Sequence, residues 1–593
     1  MTAEPEVQNA PARQAFTDEQ KEYLAGLLSG IAHRQAASGD QPPAEGAKQK
    51  ALIFGAPLES VTKQERWKHE EHPLDGWERI FAHAEQATFP NEENTFRFRN
   101  FGLFYVAPTQ NSFMLRCRIP AGELTSQQLV GLADIADDYG NGRAAITTRS
   151  NIQIREIAPQ SLVHVLSRLQ SLGLTSKGAG VDNVRNITAS PTAGFDPQEL
   201  IDTRPFAHAL QHYILNTRDL YHLPRKFNVA FEGGGTVDTV ADTNDIGFMA
   251  VRVATTAPGQ LLARTEPVSV TPGVYFRVEL AGITGHKQLA LDAGIIVQPN
   301  QAVPAAVAMI RVFVENGDRT NRKKARLKYL IDRWGIDKFV TEAQAKLSFP
   351  LIRLPAERSI PRSPGLRHGH IGVYRQKQRG RNYIGVVVPV GILTTRQMRR
   401  LAEIAANYGA GEVRLTPWQN LLVPHVPDGF VETVKRNLVR AGLHFSASSV
   451  GGGLVACTGN TGCKYAASNT KDHAVALARH LEKRVQLDQP INIHLTGCPN
   501  SCAQHYVGDI GLQGVKVMVG GESVEGYNIV VGGGTGAHAA IGQEVFKGIS
   551  FDEVPRLLEH MLKVYLGRRQ SGESFAQFAR RHDVKQLQEL FSA

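Results

Sequence analysis

The sequence is poor in cysteine and has no long apolar stretch. Five cysteines in 593 residues are too few, and too unevenly placed, for a disulfide framework. The longest apolar run, residues 383–393, is interrupted by Pro389 and is too short to cross a bilayer. The first 30 residues hold Glu4, Glu6, Asp18 and Glu19, with no apolar centre and no paired arginines, unlike a signal peptide. A cytoplasmic location, where free thiols persist, is the expectation, with no membrane segment. No nucleic-acid-binding motif accompanies the net charge of +10, from 66 Lys and Arg against 56 Asp and Glu. Such a surplus serves solubility, or gives a basic face to an acidic partner. A chain this long exceeds a single hydrophobic core, so three or more domain-sized units are expected.

What cysteine there is lies together. Cys457-Thr-Gly-Asn-Thr-Gly-Cys463 and Cys498-Pro-Asn-Ser-Cys502 place four thiols in one segment. Clustered thiols in such a chain point to metal rather than disulfides. Four thiolates suit zinc or an iron–sulfur cluster. Zinc pairs usually stand two to four residues apart around a knuckle turn. The gaps of five and three residues, with Pro499 directly after Cys498, favour a cluster.

These two motifs, the second preceded by Thr496-Gly497, resemble those of the assimilatory nitrite and sulfite reductases, which couple siroheme to a [4Fe-4S] cluster. The resemblance implies that Cys457, Cys463, Cys498 and Cys502 ligate the cluster. It also implies that Cys502 is shared with the siroheme iron and that Asn500 lies against the cofactors. A shared thiolate leaves no gap between electron store and reaction centre, and its burial and hydrogen bonds tune both potentials.

The chain is also duplicated. Phe113-Met-Leu-Arg-Cys-Arg-Ile-Pro120, Tyr139-Gly-Asn-Gly142 and Ile146-Thr-Thr-Arg-Ser-Asn151 find counterparts in Tyr383-Ile-Gly-Val-Val-Val-Pro389, Tyr408-Gly-Ala-Gly411 and Leu415-Thr-Pro-Trp-Gln-Asn420. From Pro120 and Pro389 onward the copies keep register without a gap. Each reads as strand, turn, capped helix, Gly-rich turn and strand, with Thr125 and Thr394 as N-caps of helices over 129–139 and 398–408. A fainter repeat relates Leu223–Phe231 and Asn244-Asp-Ile-Gly247 to 491–502 and Gly508-Asp-Ile-Gly511. The expected fold is α+β, two tandem pseudo-symmetric halves around the metal centre. The expected units are a flexible extension at 1–50 with a short helix near 18–32, and an arm at 51–95. The resemblance implies that the half-repeats at 96–165 and 366–430 join as one domain. Larger units follow at 166–350 and 440–593, with the cofactors where the domains meet.

Siroheme carries eight carboxylates, so its pocket calls for Arg, Lys and amides. Thr147, Thr148, Arg149, Asn151 and Gln153 match a family stretch lying against the macrocycle. Arg116, Arg185, Lys226 and Asn228 match the family's substrate pocket. Lys226 and Asn228, two apart on a strand, face one way, and Arg225 faces the other, toward the siroheme carboxylates. The resemblance gives Arg116 and Arg185 the anion's oxygens and Lys226 the protons, since an ammonium is more readily deprotonated than a guanidinium. Asparagine at 228, where sulfite-reducing relatives tend to have lysine, favours monoanionic nitrite over sulfite. The only cysteine outside the cluster motifs, Cys117, is expected to be a buried structural thiol.

The implied reaction is six-electron reduction of nitrite to ammonia, with sulfite to sulfide as the alternative. A precorrin monooxygenase and a non-catalytic zinc-stabilised binding protein are remoter readings. Gly534-Thr-Gly-Ala-His-Ala539 after Tyr527–Val531 imitates a dinucleotide fingerprint, but no suitable βαβ unit follows. The electron donor is therefore expected to be a separate acidic protein, a ferredoxin, acting on a monomer. The basic segment 319–328 is its candidate contact or else a solvated helix face.

Overall fold

The computed structural model describes residues 52–264, 266–361 and 363–592. The extension at 1–50 and the helix expected near 18–32 lie outside the described residues.

The repeated segments form two five-stranded antiparallel sheets that exchange a strand. In one, Leu103–Val106, Ser112–Arg116, Ile152–Ile157 and Arg143–Ile146 pair in that order, and Ile392–Thr394 of the second copy closes the sheet. In the other, Gly372–Arg375, Arg381–Val386, Leu421–Pro427 and Glu412–Leu415 are closed by Glu123–Thr125 of the first copy. The apolar run at 383–393 is thus divided between both sheets. Chain crossing occurs at Pro120–Gly122 and Pro389–Gly391, where Ala121 and Val390 sit at φ 57° and 47°. A Cβ on Gly122 would lie 2.5 Å from Leu415 O, and one on Gly391 2.6 Å from Ile146 O. Each crossing strand can approach the other copy's sheet only because these two residues lack a side chain. Fully buried Arg414 reaches Glu123 at 3.2 Å across the exchange. Helices Ser126–Tyr139 and Thr395–Tyr408 follow, each started by a capping box, Thr125 with Gln128 and Thr394 with Gln397.

The fainter repeat builds two larger mixed sheets of one plan. Thr188–Ala189, Val229–Glu232 and Ile246–Val253 run parallel, then Gly273–Leu280 and Leu291–Val297 continue antiparallel. Leu454–Ala456, Ile493–Thr496 and Ile510–Val519 do the same before Glu522–Val531 and Gln543–Ser550. The match extends to single hydrogen bonds. Asn228 N donates to Asp245 Oδ2 at 2.9 Å, and Asn492 N donates to Asp509 Oδ2 at 2.7 Å. Each aspartate also takes an arginine, Arg326 at 2.6 Å and Arg367 at 2.5 Å. The architecture is α+β with two pseudo-symmetric halves, as the repeats imply. After Gly534 the chain makes one 3₁₀ turn, Gly536–His538, and enters the strand Gln543–Ser550 with no α-helix between, so the dinucleotide lookalike is a connection between strands.

Segment 319–328 is not a solvated helix face. Arg319 is buried against Glu65 at 2.5 Å, Arg322 holds Asp182 with two bonds of 2.7 Å, and Arg326 holds Asp245. Only Lys323 and Lys324 of its cations are exposed, so as a docking surface it is largely inward-facing. Among the described residues no helix is long and apolar enough to cross a membrane.

Near the cysteine loops, imidazole and indole rings pack together. His370 stacks on Trp418 with centroids 5.6 Å apart, Trp418 meets His494 edge-on at 6.1 Å, and His368 lies 5.7 Å from His370. Burial holds the pKa of His368 and His494 at about 4 and that of His370 and His505 at about 3. An unfolded imidazole titrates near ~6.5. Between these values the unfolded chain binds more protons, so this stabilisation is complete above pH ~6.5 and is lost as pH falls toward ~4.

Two outcomes follow. Denaturant titrations of the holoprotein at stepped pH will show stability falling from neutral pH toward ~4.5, with a shallower fall in His370→Phe; equal slopes would remove the histidines as the cause. Leu124, 1% exposed in the exchanged strand, will cost about 2–5 kcal/mol on truncation to alanine. By hydrogen exchange, Leu124→Ala will loosen Glu412–Leu415, its partner in the other copy, more than Arg143–Ile146 in its own.

Candidate functional site

Cys457 follows the strand Leu454–Ala456, and Cys498 follows Ile493–Thr496. Both lie at the C-terminal edge of adjacent parallel strands, where such sheets place ligands. Cys457 Sγ accepts from Gly497 N at 3.2 Å and Gly459 N at 3.4 Å, and Cys498 Sγ lies 3.5 Å from Asn500 Nδ2. Donors aimed at sulfur favour thiolate over thiol. Gly459, at φ +72°, allows the close turn, since a Cβ there would lie 2.7 Å from Thr470 N.

Cys502 is accessible although protein surrounds it, so its side chain faces an internal space. Burial, with Cys457 beside it, pushes its thiol up to about 11, and Lys226 acts the other way. Cys463 and Cys498 bear on the same sulfur. Among the described residues no three His, Cys, Asp or Glu side chains gather around one metal ion. A cluster, in which each thiolate takes a different iron, does not require that spacing.

Four cations border the same space. Arg116 ends the strand Ser112–Arg116 and lies over the Phe104 ring at 4.3 Å. Arg149 stands in a turn closed by Thr147 N donating to Asn151 O at 2.8 Å, and its Nη1 donates to Asn244 Oδ1 at 2.9 Å. Arg185 is fixed by its Nη1 and Nη2 donating to Ala179 O and Val181 O at 3.1 and 2.9 Å. Lys226 shares this environment with Arg149, Arg326, Arg185 and Cys502. Burial lowers Arg116 and Arg149 to about 10 and takes Arg185 and Lys226 well below their ordinary values, the neighbouring cations adding to the effect. Among the described residues none of these four forms an ion pair. Buried charge without a counter-ion is costly. An anionic ligand would supply what is missing.

The other expected residues divide. Thr148 Oγ1 donates to Cys502 O at 3.1 Å, joining the first half to the loop of the last cysteine. Asn500 is exposed beside Cys498. Thr147 Oγ1 accepts from Arg149 N at 3.2 Å, and Gln153 is buried, accepting from Arg155 at 3.2 Å. Arg225 leans toward Asp182, 3.8 Å away. Asn151 is buried with its amide donating to Cys117 O and accepting from Ile152 N, so it shapes the turn rather than offering a free group. Asn228 is likewise engaged. With its amide turned so that oxygen and nitrogen are both satisfied, it accepts from Arg149 Nη2 at 2.7 Å and donates to Phe227 O at 3.3 Å, so it orients an arginine. Cys117 is fully buried, its thiol raised to about 12 by desolvation.

Sequence reasoning missed Asn186, Gln419, Arg155 and Lys471. Asn186 Nδ2 donates to Ile119 O at 2.7 Å and Arg149 O at 2.9 Å, and its Oδ1 accepts from Ile119 N at 2.7 Å. It holds the Arg149 turn against the Arg185 loop. Gln419, at φ 59°, accepts from Ala456 N and donates to Ala456 O, both at 2.9 Å, anchoring the residue before Cys457. Arg155 sits two positions beyond Gln153 on one strand face, and that alternation was the available signal.

Residues 180–351 and 452–592 match the family described as the nitrite and sulphite reductase 4Fe-4S domain. Residues 105–172 and 374–441 match its ferredoxin-like half domain. The chain belongs to the nitrite and sulphite reductase family. It is 36% identical to the ferredoxin–nitrite reductase of Synechococcus elongatus over 86% of this chain and 97% of that one. With the ferredoxin–nitrite reductase of Leptolyngbya laminosa the figures are 37%, 86% and 98%. In three dimensions it is similar to the NirA protein of Mycobacterium tuberculosis, with a TM-score of 0.79 and 29% identity over 89% of this chain and 98% of that one. Family membership makes siroheme and a [4Fe-4S] cluster its cofactors. The donor set fits them: four thiols on one side, unpaired cations on the other, and Cys502 opening between.

Asn186→Ala removes the brace on the Arg149 turn and leaves Ile119 N without its partner. The expected cost is about 1–3 kcal/mol in stability, together with weaker anion binding read as a raised KM; an unchanged KM would separate the brace from the pocket.

Proposed function

We propose that this chain reduces nitrite to ammonia, released as ammonium, with six electrons and eight protons and the two oxygens leaving as water, as a cytoplasmic monomer fed by an acidic ferredoxin. The observation that carries this reading is the group of unpaired cations around the space onto which Cys502 opens. Its ferredoxin–nitrite reductase relatives support the choice of substrate and donor.

Siroheme and the cluster, when bound, supply an iron for the anion and a store of electrons. The chain's own residues do the rest. Arg116 and Arg185 hold the anion's oxygens with their guanidinium donors and stabilise charge as the N–O bonds break. Arg149, held by Asn244 and Asn228, completes the positive wall. Lys226 gives up protons: burial and three neighbouring cations hold its pKa far below the usual lysine range, so its Nζ releases a proton to a departing oxygen. Thr148 fixes the backbone at Cys502. Ferredoxin docking is electrostatic and weakens with salt.

The purified protein will show haem-type absorption bands with four cluster irons and one macrocycle iron per chain, and nitrite will perturb the reduced spectrum. Under one artificial reductant nitrite will be turned over faster than sulfite, and the reverse order would make sulfite the substrate. Lys226→Met will lower kcat by about 10²–10⁴-fold with the cofactor bands intact; a variant that keeps full kcat would remove Lys226 as the donor.

A further inference from the structure

Two cations on the cysteine side of the site have no part in the steps above. Arg155, in the strand Ile152–Ile157, reaches the first cysteine loop. Its Nη1 donates to Gly462 O at 3.2 Å and its Nη2 to Thr458 Oγ1 at 3.0 Å. A Cβ on Gly462 would lie 2.7 Å from that Nη1, so the second glycine of Cys-Thr-Gly-Asn-Thr-Gly-Cys leaves room for the guanidinium beside the loop. Lys471 is the second residue of the helix Thr470–Glu482, and its Nζ donates to the carbonyls of Val390 and Ala456. The charges favouring protonated Arg155 are Cys463, Glu156 and Cys457; for Lys471 the favourable charge is Cys457. Among the described residues neither forms an ion pair.

Packing does not explain these charges. Lys471 stands in the first turn of a helix, where the macrodipole disfavours a cation. The position matching Arg155 in the second copy is Pro424, in the same strand of the same fold, so the strand does not require a cation. What distinguishes the first copy's strand is that it faces the cysteines. A thiolate-bound iron–sulfur cluster is a buried anion that becomes more negative on reduction, and local charge and hydrogen bonding set its potential.

We propose that Arg155 and Lys471 set the reduction potential of the cluster, their charges stabilising its reduced form. This rests on the cofactor reading above. The electron comes from the donor protein, and no bond is made or broken at either residue. They are positioning residues that act through the cluster, not catalytic ones.

The test is a potentiometric titration of the cluster, followed by electron paramagnetic resonance, in wild type, Arg155→Lys, Arg155→Gln and Lys471→Met, each with iron content measured. At the wild-type midpoint, Arg155→Gln and Lys471→Met will each have a reduced-to-oxidised ratio about tenfold lower, a shift of about 59 mV for one electron. Arg155→Lys will stay near wild type. Iron-loaded neutral variants that titrate with wild type would overturn the proposal. So would an Arg155→Lys shift as large as that of Arg155→Gln, because hydrogen bonding and not charge would then be the cause. If Arg155→Gln takes up no cluster while Arg155→Lys does, a charge at 155 is still required and Lys471→Met carries the measurement. If none of the three takes up iron, the residues are structural and the proposal falls. A wild type without any cluster signal is a separate result, which would sink the cofactor reading itself.

Discussion

Positive charge buried without a direct ion-pair partner is the constraint on which this molecule turns. Arg116, Arg149, Arg185 and Lys226 come from four separate stretches of chain, and none has an ion-pair partner among the described residues. Hydrophobic burial alone would not gather them, because each loses hydration on entering the interior. The fold holds two of them with carbonyls and amides: Ala179 and Val181 for Arg185, Asn244 and Asn228 for Arg149. These neutral donors and acceptors orient guanidinium groups without cancelling their charge. The charge stays available to an anionic cofactor and an anionic substrate.

Duplication explains how one chain builds such a space. Each ferredoxin-like sheet takes its last strand from the other copy, so neither copy closes alone. The larger sheets repeat a plan in which an aspartate accepts a backbone N–H from the preceding strand and an arginine from elsewhere. With the scaffold doubled, the copies carry different chemistry. The second large unit has the cysteines at the ends of its parallel strands, while the first has Lys226 and Asn228 just before Val229–Glu232. The same division appears within the small sheets, where Arg155 faces the cysteine loop and its counterpart is Pro424.

Much of this was legible in the chain itself. The cysteine spacing, the register from Pro120 and Pro389, and the capping threonines are local or periodic signals, and they survive folding because they depend on neighbours in sequence. The strand exchange was not legible. It depends on Gly122 and Gly391 meeting carbonyls in the opposite copy, a contact no local pattern encodes. The hydrogen-bond partners of Asn151 and Asn228 were not legible for a related reason. An asparagine on a polar face reads the same whether its amide meets a ligand or a backbone carbonyl, and here backbone and Arg149 take it. The basic run at 319–328 looked like a surface because its acidic partners, Glu65, Asp182 and Asp245, are far away in sequence.

The central proposal is that Cys502 would hold the macrocycle iron as well as the cluster, as the family resemblance implies. Mössbauer spectroscopy of iron-57-enriched protein tests it most directly, since irons joined through a common ligand share their magnetic behaviour. The account predicts a macrocycle iron magnetically coupled to the four cluster irons, with the coupling lost in Cys502→Ser. A macrocycle iron that behaves independently of an intact cluster in the unaltered protein would contradict it.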